Sequence, residues 1–547
     1  MDLGLRLTAA ACLSLSPLAP LTARLAYLQI FKHDNLSVRA AGEFARTAQE
    51  ATPRAELLDR KGRVLARSIP SWSCFVDKAM VKDPHAFAAR LAPLLQIPAA
   101  EIERKTRAAQ RFAWIKTHMG QAEFSALADA RVEGLGLVPA QERVYPNGDL
   151  ARSVLGLIGT EGRGLAGLEL SQDSRLRGRA RRLEVIRDGQ GRTIYKNLTD
   201  AGDEPPALSL TIDRTTQYLA EEALKEGGEK RLFKEGLVAV QDPRNGEILA
   251  MAAWPPNPLR NSFVQDAFEP GSTFKVVTAL AALESDLVRP DETFSGEAGK
   301  WQISPGVTIT DHEPEADMTL AQILERSSNI GIAKVIERVG ATRFYRLARA
   351  FGFGAKTGCP LPGESAGELK PLSDLTRVGL AASSYGYGLA ISPLQMVGAY
   401  SAIANGGVLW EPKLLLDEKP PVKVRRVASQ RAVQDIALML EGVVEHGTAT
   451  SARIPGYRVG GKTGTARKID PLTRKYSSSA YTASFAGFLP ASQPRWTILV
   501  VLHEPKGAYY GGLVAAPIFS RIGRRLLTLE GIAPDRPHDP ALGTAQR

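Results

Sequence analysis

The sequence predicts a multidomain chain: an N-terminal membrane helix, an α+β domain over 40–205 and an α/β domain over 208–532. Three observations carry this prediction. The chain has 547 residues, several times what one hydrophobic core usually serves. Leu7 to Ala23 carry no charge. Thr199 to Ala207 reads TDAGDEPPA, an acidic, Gly- and Pro-containing stretch with the composition of a linker.

Past Arg24 the apolar character resumes through Leu25, Ala26, Tyr27, Leu28, Ile30 and Phe31. With Leu7 to Ala23 this reaches the roughly 20 residues a bilayer-crossing helix needs. Residues 7–31 are therefore assigned as the anchor, with Arg24 snorkelling to the interface, and residues 1–6 as a short cytoplasmic segment. A cleaved signal peptide would use the same features, with Arg6 as its positive region and a site near Thr22-Ala23. The apolar residues beyond that site favour the uncleaved anchor. Either way the bulk of the chain lies outside the cytoplasm.

From Pro53 the chain reads PRAELLDRKGRVLARS, two short apolar runs about the turn Asp59 to Gly62, a hairpin signal. Residues 86–132 are rich in Ala, Leu and charges at helical spacing, and 143–178 returns to Gly-punctuated apolar pieces. Beyond the linker, Leu208 to Asp213 reads as a strand and Gln217 to Lys230 as a helix. Gly236 to Gln241 and Gly246 to Ala252 form a hairpin about Asp242-Pro-Arg-Asn-Gly246. Long helical patterns follow, then strands at Thr482 to Leu489 and Trp496 to His503 and a helix at Val514 to Leu527. The Pro-rich tail, 533–547, is predicted to be disordered.

Composition narrows the function classes. Hydrophobic residues at 44% and charged residues at 23% are ordinary for a globular chain. A net charge of +11 suits an anionic lipid or wall polymer, or simple solubility. Nucleic acid is set aside, because the Arg-rich stretch Arg175 to Arg187 lacks interleaved aromatics. Cys12, Cys74 and Cys359 are too scattered for a disulfide framework or a zinc site. None of the seven histidines has ligand spacing, so neither metal nor cofactor is expected.

Three motifs carry chemistry. In Glu269-Pro-Gly-Ser272-Thr-Phe-Lys275 the Pro and Gly open a helix, with Ser272 in its first turn and Lys275 at i+3 on the same face. A serine hydroxyl needs a base, and a lysine serves only when neutral, which burial and a helix N-terminus both favour. A capping serine beside a surface lysine would read the same. In Arg326-Ser327-Ser328-Asn329, Ser327 can shuttle a proton and Asn329 can bond a substrate amide or Lys275, although a helix cap is the common fate of such residues. In Gly460-Gly-Lys462-Thr463-Gly464-Thr465, a strand alternates Lys462 and Gly464 with Thr463 and Thr465. That places a cation and a hydroxyl along a cleft suited to a carboxylate-ended peptide. The backbone N–H groups of Thr465 and Ser272 would supply an oxyanion hole.

Gly456 to Thr463 also fits the P-loop pattern letter for letter, but the preceding strand and following helix are missing. Gly363-Glu-Ser365-Ala-Gly367 fits a nucleophile elbow, yet Pro360, Pro362 and Pro371 make it a loop.

In this order the three motifs resemble the S-x-x-K, S-x-N and K-T-G set of penicillin-recognising enzymes. The resemblance runs from about Pro53 to Asp535 and is to the class B penicillin-binding proteins of the division (FtsI) type. It is carried by Asp59-Arg-Lys-Gly62, Arg143-Val-Tyr-Pro-Asn-Gly148, Gly167-Leu-Glu169, Thr211-Ile-Asp213, Leu361 to Gly367, Ser384-Tyr-Gly-Tyr-Gly388 and Tyr509-Tyr-Gly-Gly512. Ala55 and Ala151-Arg152 depart from the family's usual residues.

The resemblance implies a non-catalytic pedestal before a penicillin-binding transpeptidase domain with an antiparallel five-stranded sheet packed between helices. The implied reaction is cross-linking of peptidoglycan stem peptides, with Ser272 as nucleophile, Lys275 as base, Ser327 as proton shuttle and Asn329 as positioner. Lys462, Thr463, Gly464 and Thr465 would hold the substrate carboxylate and the oxyanion. Implied partners are stem peptides, lipid-linked glycan strands, the inner membrane, a polytopic FtsW-like glycosyltransferase and divisome proteins, with β-lactams as covalent inhibitors. The chain would be a single-pass inner-membrane protein with a periplasmic catalytic domain. A DD-carboxypeptidase and a non-catalytic β-lactam sensor are the alternatives. A class A β-lactamase is set aside, since no Glu-x-x-Leu-Asn lies between Ile330 and Gly461.

Overall fold

The computed structural model describes residues 18–37, 45–50, 52–187, 193–416, 419–470 and 472–536. The expected cytoplasmic segment, the first part of the anchor and the tail beyond Arg536 lie outside them. Leu18–Ala26 is α-helical and Tyr27–Phe31 forms a π turn, 9 and 5 residues that span at most about 21 Å. A hydrocarbon core is about 30 Å thick. Among the described residues no helix is long and apolar enough to cross a membrane. The spanning helix expected over 7–31 is therefore not seen in the part described. The tail also begins later than expected, because Asp535 accepts the backbone N–H of Arg458 at 2.7 Å and Arg536 pairs with Glu445 at 2.6 Å.

The chain divides into two compact units, and the division is not a single cut. The first unit holds residues 1–54, 70–142 and 177–205. In it, Ala45–Glu50, Arg181–Arg187 and Thr193–Asp200 form an antiparallel three-stranded sheet. Trp72 to Asp77 pair with Phe112–Met119 beside helices Pro84–Leu95, Ala99–Ala108 and Gln121–Ala130. Asp83 opens the first helix by accepting the N–H of His85 at 2.9 Å, with Pro84 at N1. The helical run expected over 86–132 is thus interrupted by a strand. Its residues Ile115 and Met119 are buried with Val76, Phe87, Leu91 and Ile102 while Thr117 between them is exposed, so the strand has no clean alternation to mark it in the sequence.

The second unit holds 55–69, 143–176 and everything from Pro206 onward. This division cuts across the expected 40–205 domain. Leu57, Leu65, Val154, Leu155 and Leu168 share one apolar cluster with the catalytic sheet, and removing that surface from water outweighs sequence order. Asp59, fully buried, accepts from Lys61 N, Arg63 N, Arg63 Nε and Arg214 N at 2.7–3.1 Å. Those bonds hold its carboxyl below the usual range although burial pushes the other way.

At the centre of this unit is an antiparallel five-stranded sheet, as expected. Its strands are β1 (Glu235–Gln241), β2 (Ile248–Trp254), β3 (Gly460–Ile469), β4 (Tyr476–Leu489) and β5 (Trp496–His503), in the order β2-β1-β5-β4-β3. Helix α1 (Arg214–Glu229) is capped by Asp213, which accepts from Thr215 and Thr216 N–H at 2.9 Å. Helices α2 (Lys275–Glu284), α3 (Asn329–Val339), α4 (Pro393–Ala404), α5 (Gln430–Glu445) and α6 (Ala516–Leu529) follow. Gly236 faces Leu224 of α1, whereas Gln241 bonds Ser401 of α4 at 2.7 Å. These positions differ in parity along β1, so α1 and α4 cover opposite faces. Phe519 of α6 packs edge-on against Phe485 of β4 at 4.7 Å, and register places Phe485 on the face of Gly236. Three layers result, with β3 as an edge strand.

Candidate active site

The first motif forms a 3-10 turn, Gly271–Phe274, that runs into α2. The sequence predicts an α-helical first turn. In the tighter 3-10 winding, residues three apart eclipse, which sets Ser272 directly in line with Lys275. Gly271 adopts φ +56°, and its N–H donates to Gly386 O at 3.1 Å. A side chain on Gly386 would meet Gly271 O at 2.2 Å, so two backbones touch here as only glycine permits. From α4 the buried Tyr400 Oη donates to Thr273 O at 2.9 Å. Lys275 to Leu283 are all buried, the pattern of a central helix with no solvent face.

The second motif joins helix Leu320–Glu325 to α3 through Ser327, which holds φ +60°. That left-handed conformation costs a non-glycine residue about 1–2 kcal/mol. Asp311 offsets the cost: it accepts from Asn329 N at 2.5 Å, from Ile330 N at 3.1 Å and from the Ser328 hydroxyl. Ser328 Oγ in turn caps α3 by accepting Gly331 N–H at 2.8 Å. Asn329 Nδ2 donates to Thr310 O at 3.0 Å, where the sequence offers Lys275 or a substrate amide as its partner.

The third motif lies inside β3, paired residue by residue with β4, Lys462 opposite Ala486 and Thr465 opposite Ala483. A strand here removes the P-loop reading, which needs a helix after its lysine. A side chain on Gly464 would come within 2.3 Å of Ser484 Oγ and 2.8 Å of Pro270 O, so glycine lets the edge strand press against the nucleophile turn. On the other side of the strand, Thr463 Oγ1 lies 2.9 Å from Thr448 Oγ1, and Thr465 Oγ1 accepts Gly511 N–H at 3.1 Å.

The three segments meet at Ser327. Lys275 Nζ donates to Ser327 O and, at 3.2 Å, to Ser327 Oγ; Lys462 Nζ donates to the same hydroxyl at 3.0 Å. Both lysines are 0% exposed. Burial pulls Lys275 down to about 7, an effect that the Asp311 charge partly opposes. Burial, and then the neighbouring Lys275 charge, push Lys462 well below the ordinary lysine range. Two buried amines on one hydroxyl do not both stay charged, so a neutral amine, the form able to accept a proton, is present near neutrality. Ser272 itself is half-buried at the head of this arrangement.

Asp311, Tyr400 and Thr448 are the residues that sequence reasoning missed. Asp311 ends the alternating run Val307–Thr310, 18 residues before Asn329, and no motif spacing connects the two. Among the described residues no group of His, Cys, Asp and Glu could hold a metal ion.

Two family models match the chain: "Penicillin binding protein transpeptidase domain" over residues 236–524 and "Penicillin-binding Protein dimerisation domain" over 49–206. Stage V sporulation protein D of Bacillus subtilis is 31% identical, over 93% of this chain and 83% of that one. Peptidoglycan D,D-transpeptidase FtsI of Escherichia coli K12 is also 31% identical, over 95% and 90%. Among solved structures, penicillin binding protein 3 of Mycobacterium tuberculosis, complexed with aztreonam, superposes with a TM-score of 0.69 at 28% identity, covering 90% of this chain and 99% of that one. With both domain types matched in order, the chain belongs to the class B penicillin-binding proteins, the peptidoglycan D,D-transpeptidases.

Proposed function

We propose that Ser272 is the residue acylated by the D-Ala-D-Ala end of a stem peptide, and that Lys275 is its base. The observation that carries this reading is the shared hydroxyl of Ser327, within hydrogen-bonding distance of both buried lysines. Neutral Lys275 takes the Ser272 proton as Oγ attacks the penultimate carbonyl carbon. The oxyanion is met by the N–H groups of Ser272 and Thr465. As the intermediate collapses, the proton returns through Ser327 to the departing D-Ala nitrogen. An amine from a neighbouring stem then attacks the ester, losing its proton along the same route, and Ser272 is released. Lys462 with Thr463, Gly464 and Thr465 receives the donor's terminal carboxylate, and Asn329 positions the donor amide. A β-lactam enters the same path and stays as the acyl-enzyme, which agrees with the aztreonam complex of the Mycobacterium relative.

Labelling with fluorescent penicillin and intact-mass analysis test this directly. The wild type gains one acyl adduct, and loss of the adduct in Ser272→Ala confirms the site. Labelling that persists in that variant would overturn the assignment. With a stem-peptide donor and an amine acceptor, cross-linked product is expected; free acid as the only product would favour the carboxypeptidase.

On this reading residues 7–31 are a single membrane anchor and the catalytic unit lies in the periplasm. Septal synthesis beside an FtsW-like glycosyltransferase and divisome proteins is the favoured setting, supported by the FtsI relative. The sporulation relative supports a second reading, wall synthesis during spore formation. Depletion separates them: filamentation supports division, and a defect confined to sporulation supports the second.

A further inference from the structure

Glu269, three residues before Ser272, has a carboxylate that the mechanism above does not use. Its Oε1 accepts two hydrogen bonds, from Gly388 N at 2.7 Å and from Tyr476 Oη at 3.0 Å. Its Oε2 is shut off from solvent with no hydrogen-bond partner among the described residues. An orphaned buried carboxylate oxygen is costly, and such costs persist where the surrounding geometry serves a purpose.

The two donors belong to different parts of the site. Gly388 ends the Ser384–Gly388 loop, whose Gly386 touches the nucleophile turn. Tyr476 is the first residue of β4, paired with Ile469 at the far end of β3. Its ring meets that of Tyr387 edge-on at 5.5 Å, and Tyr387 Oη accepts the N–H of Arg467 at 3.3 Å. Phe268 exchanges both backbone bonds with Ile391, at 2.9 and 3.0 Å. On the other side the turn meets β3 without slack, since a side chain on Gly271 would stand 3.1 Å from Thr465 O. Glu269 thus hydrogen-bonds both the loop and the distal end of the hairpin carrying Thr465, beside the Tyr387–Arg467 contact.

We infer that Glu269 is a positioning residue for acylation: its carboxylate ties the nucleophile turn, the Ser384–Gly388 loop and the β3–β4 hairpin together, and so fixes the separation of the Ser272 and Thr465 N–H groups. The oxyanion forms only in the transition state, so loss of the tie lowers the acylation rate constant and leaves the non-covalent affinity for the acylating agent unchanged. The inference rests on Ser272 being the acylated residue.

The test is stopped-flow acylation of the full chain by fluorescent penicillin, with the rate constant and the pre-acylation dissociation constant resolved separately. Tyr476 is 46% exposed, so Tyr476→Phe removes one hydroxyl without opening the core. It is expected to slow acylation about 3- to 10-fold, the size of one ordinary net hydrogen bond, with an unchanged dissociation constant. Glu269→Ala loses both bonds and slows acylation further. Glu269→Gln keeps an acceptor oxygen and recovers most of that loss. Tyr476→Phe added to Glu269→Ala slows it no more, because the pair acts through one contact. Wild-type acylation by Tyr476→Phe, losses that multiply in the double variant, or an effect on the dissociation constant alone would each overturn the inference. No acylation of the wild type would instead sink the Ser272 reading, and this inference with it.

Discussion

The carboxylate of Asp311 accepts the backbone N–H of Asn329 at 2.5 Å, and that contact anchors the left-handed turn that presents Ser327 to both lysines. Asp311→Ala removes three acceptor contacts at the start of α3. We expect a stability loss of about 1–2 kcal/mol, the range for a lost helix cap, and acylation slowed by about 10²-fold. Thermal unfolding and penicillin-labelling kinetics check the two effects separately.

Acylation should follow the free-base form of Lys275. With its folded-state value pulled down to about 7, the rate rises with pH through about 7 and levels off above it. The Asp311 charge opposes that fall, so Asp311→Asn moves the midpoint to lower pH. Second-order labelling rates across neutral pH give both curves, and a flat profile would contradict Lys275 as the base.

The same group makes stability depend on pH. An unfolded lysine keeps its proton up to about 10.4, whereas folded Lys275 releases it from about 7 upward. Between those values the unfolded chain binds more protons, so stability rises with pH across that window. Lys275→Met removes the titration, and the slope of unfolding free energy against pH should shrink.

Gly386→Ala sets a methyl 2.2 Å from Gly271 O at a position with φ +83°. Strain and overlap together should cost about 2–4 kcal/mol and displace the nucleophile turn. Denaturant unfolding and loss of penicillin labelling check it.

Tyr400→Phe leaves Thr273 O without its donor in a fully buried place. A loss of about 1–3 kcal/mol is expected, with acylation slowed less than in Asp311→Ala, because the turn keeps its bond to Gly386. Paired unfolding and labelling measurements rank the two.

Several elements of the catalytic unit are legible from local signals. The hairpin of β1 and β2 announces itself through Asp242-Pro-Arg-Asn-Gly246, and β5, α6 and the second half of β4, from Thr482, through their apolar residues, whereas the polar start of β4 at Tyr476 leaves no such mark. Phe112–Met119 is hidden because it alternates poorly, with Thr117 exposed between the buried Ile115 and Met119, and lies between helices. Side-chain partners are less legible than positions. Asn329 is found in the expected turn, yet its amide bonds Thr310, and the acceptor that orders the turn, Asp311, comes from a loop with no motif of its own. Long-range contacts of this kind leave no period in a sequence, since each depends on two segments meeting. The boundary near 205 has a compositional mark, but the earlier crossings at 54, 69, 142 and 176 fall inside patterned segments without one.

Those crossings bear on how the catalytic unit can be isolated. A recombinant fragment beginning at Pro206 would lack Leu57 and Leu58, the parallel partners of Leu208 and Ser209, and Arg63, which bonds Asp213 and Thr215. It would also bare the apolar surface that Val154, Leu155 and Leu168 cover. Trimming at the obvious linker therefore uncovers that surface, and splicing 55–69 and 143–176 back onto the body, with short bridges in place of the excised segments, would cover it again.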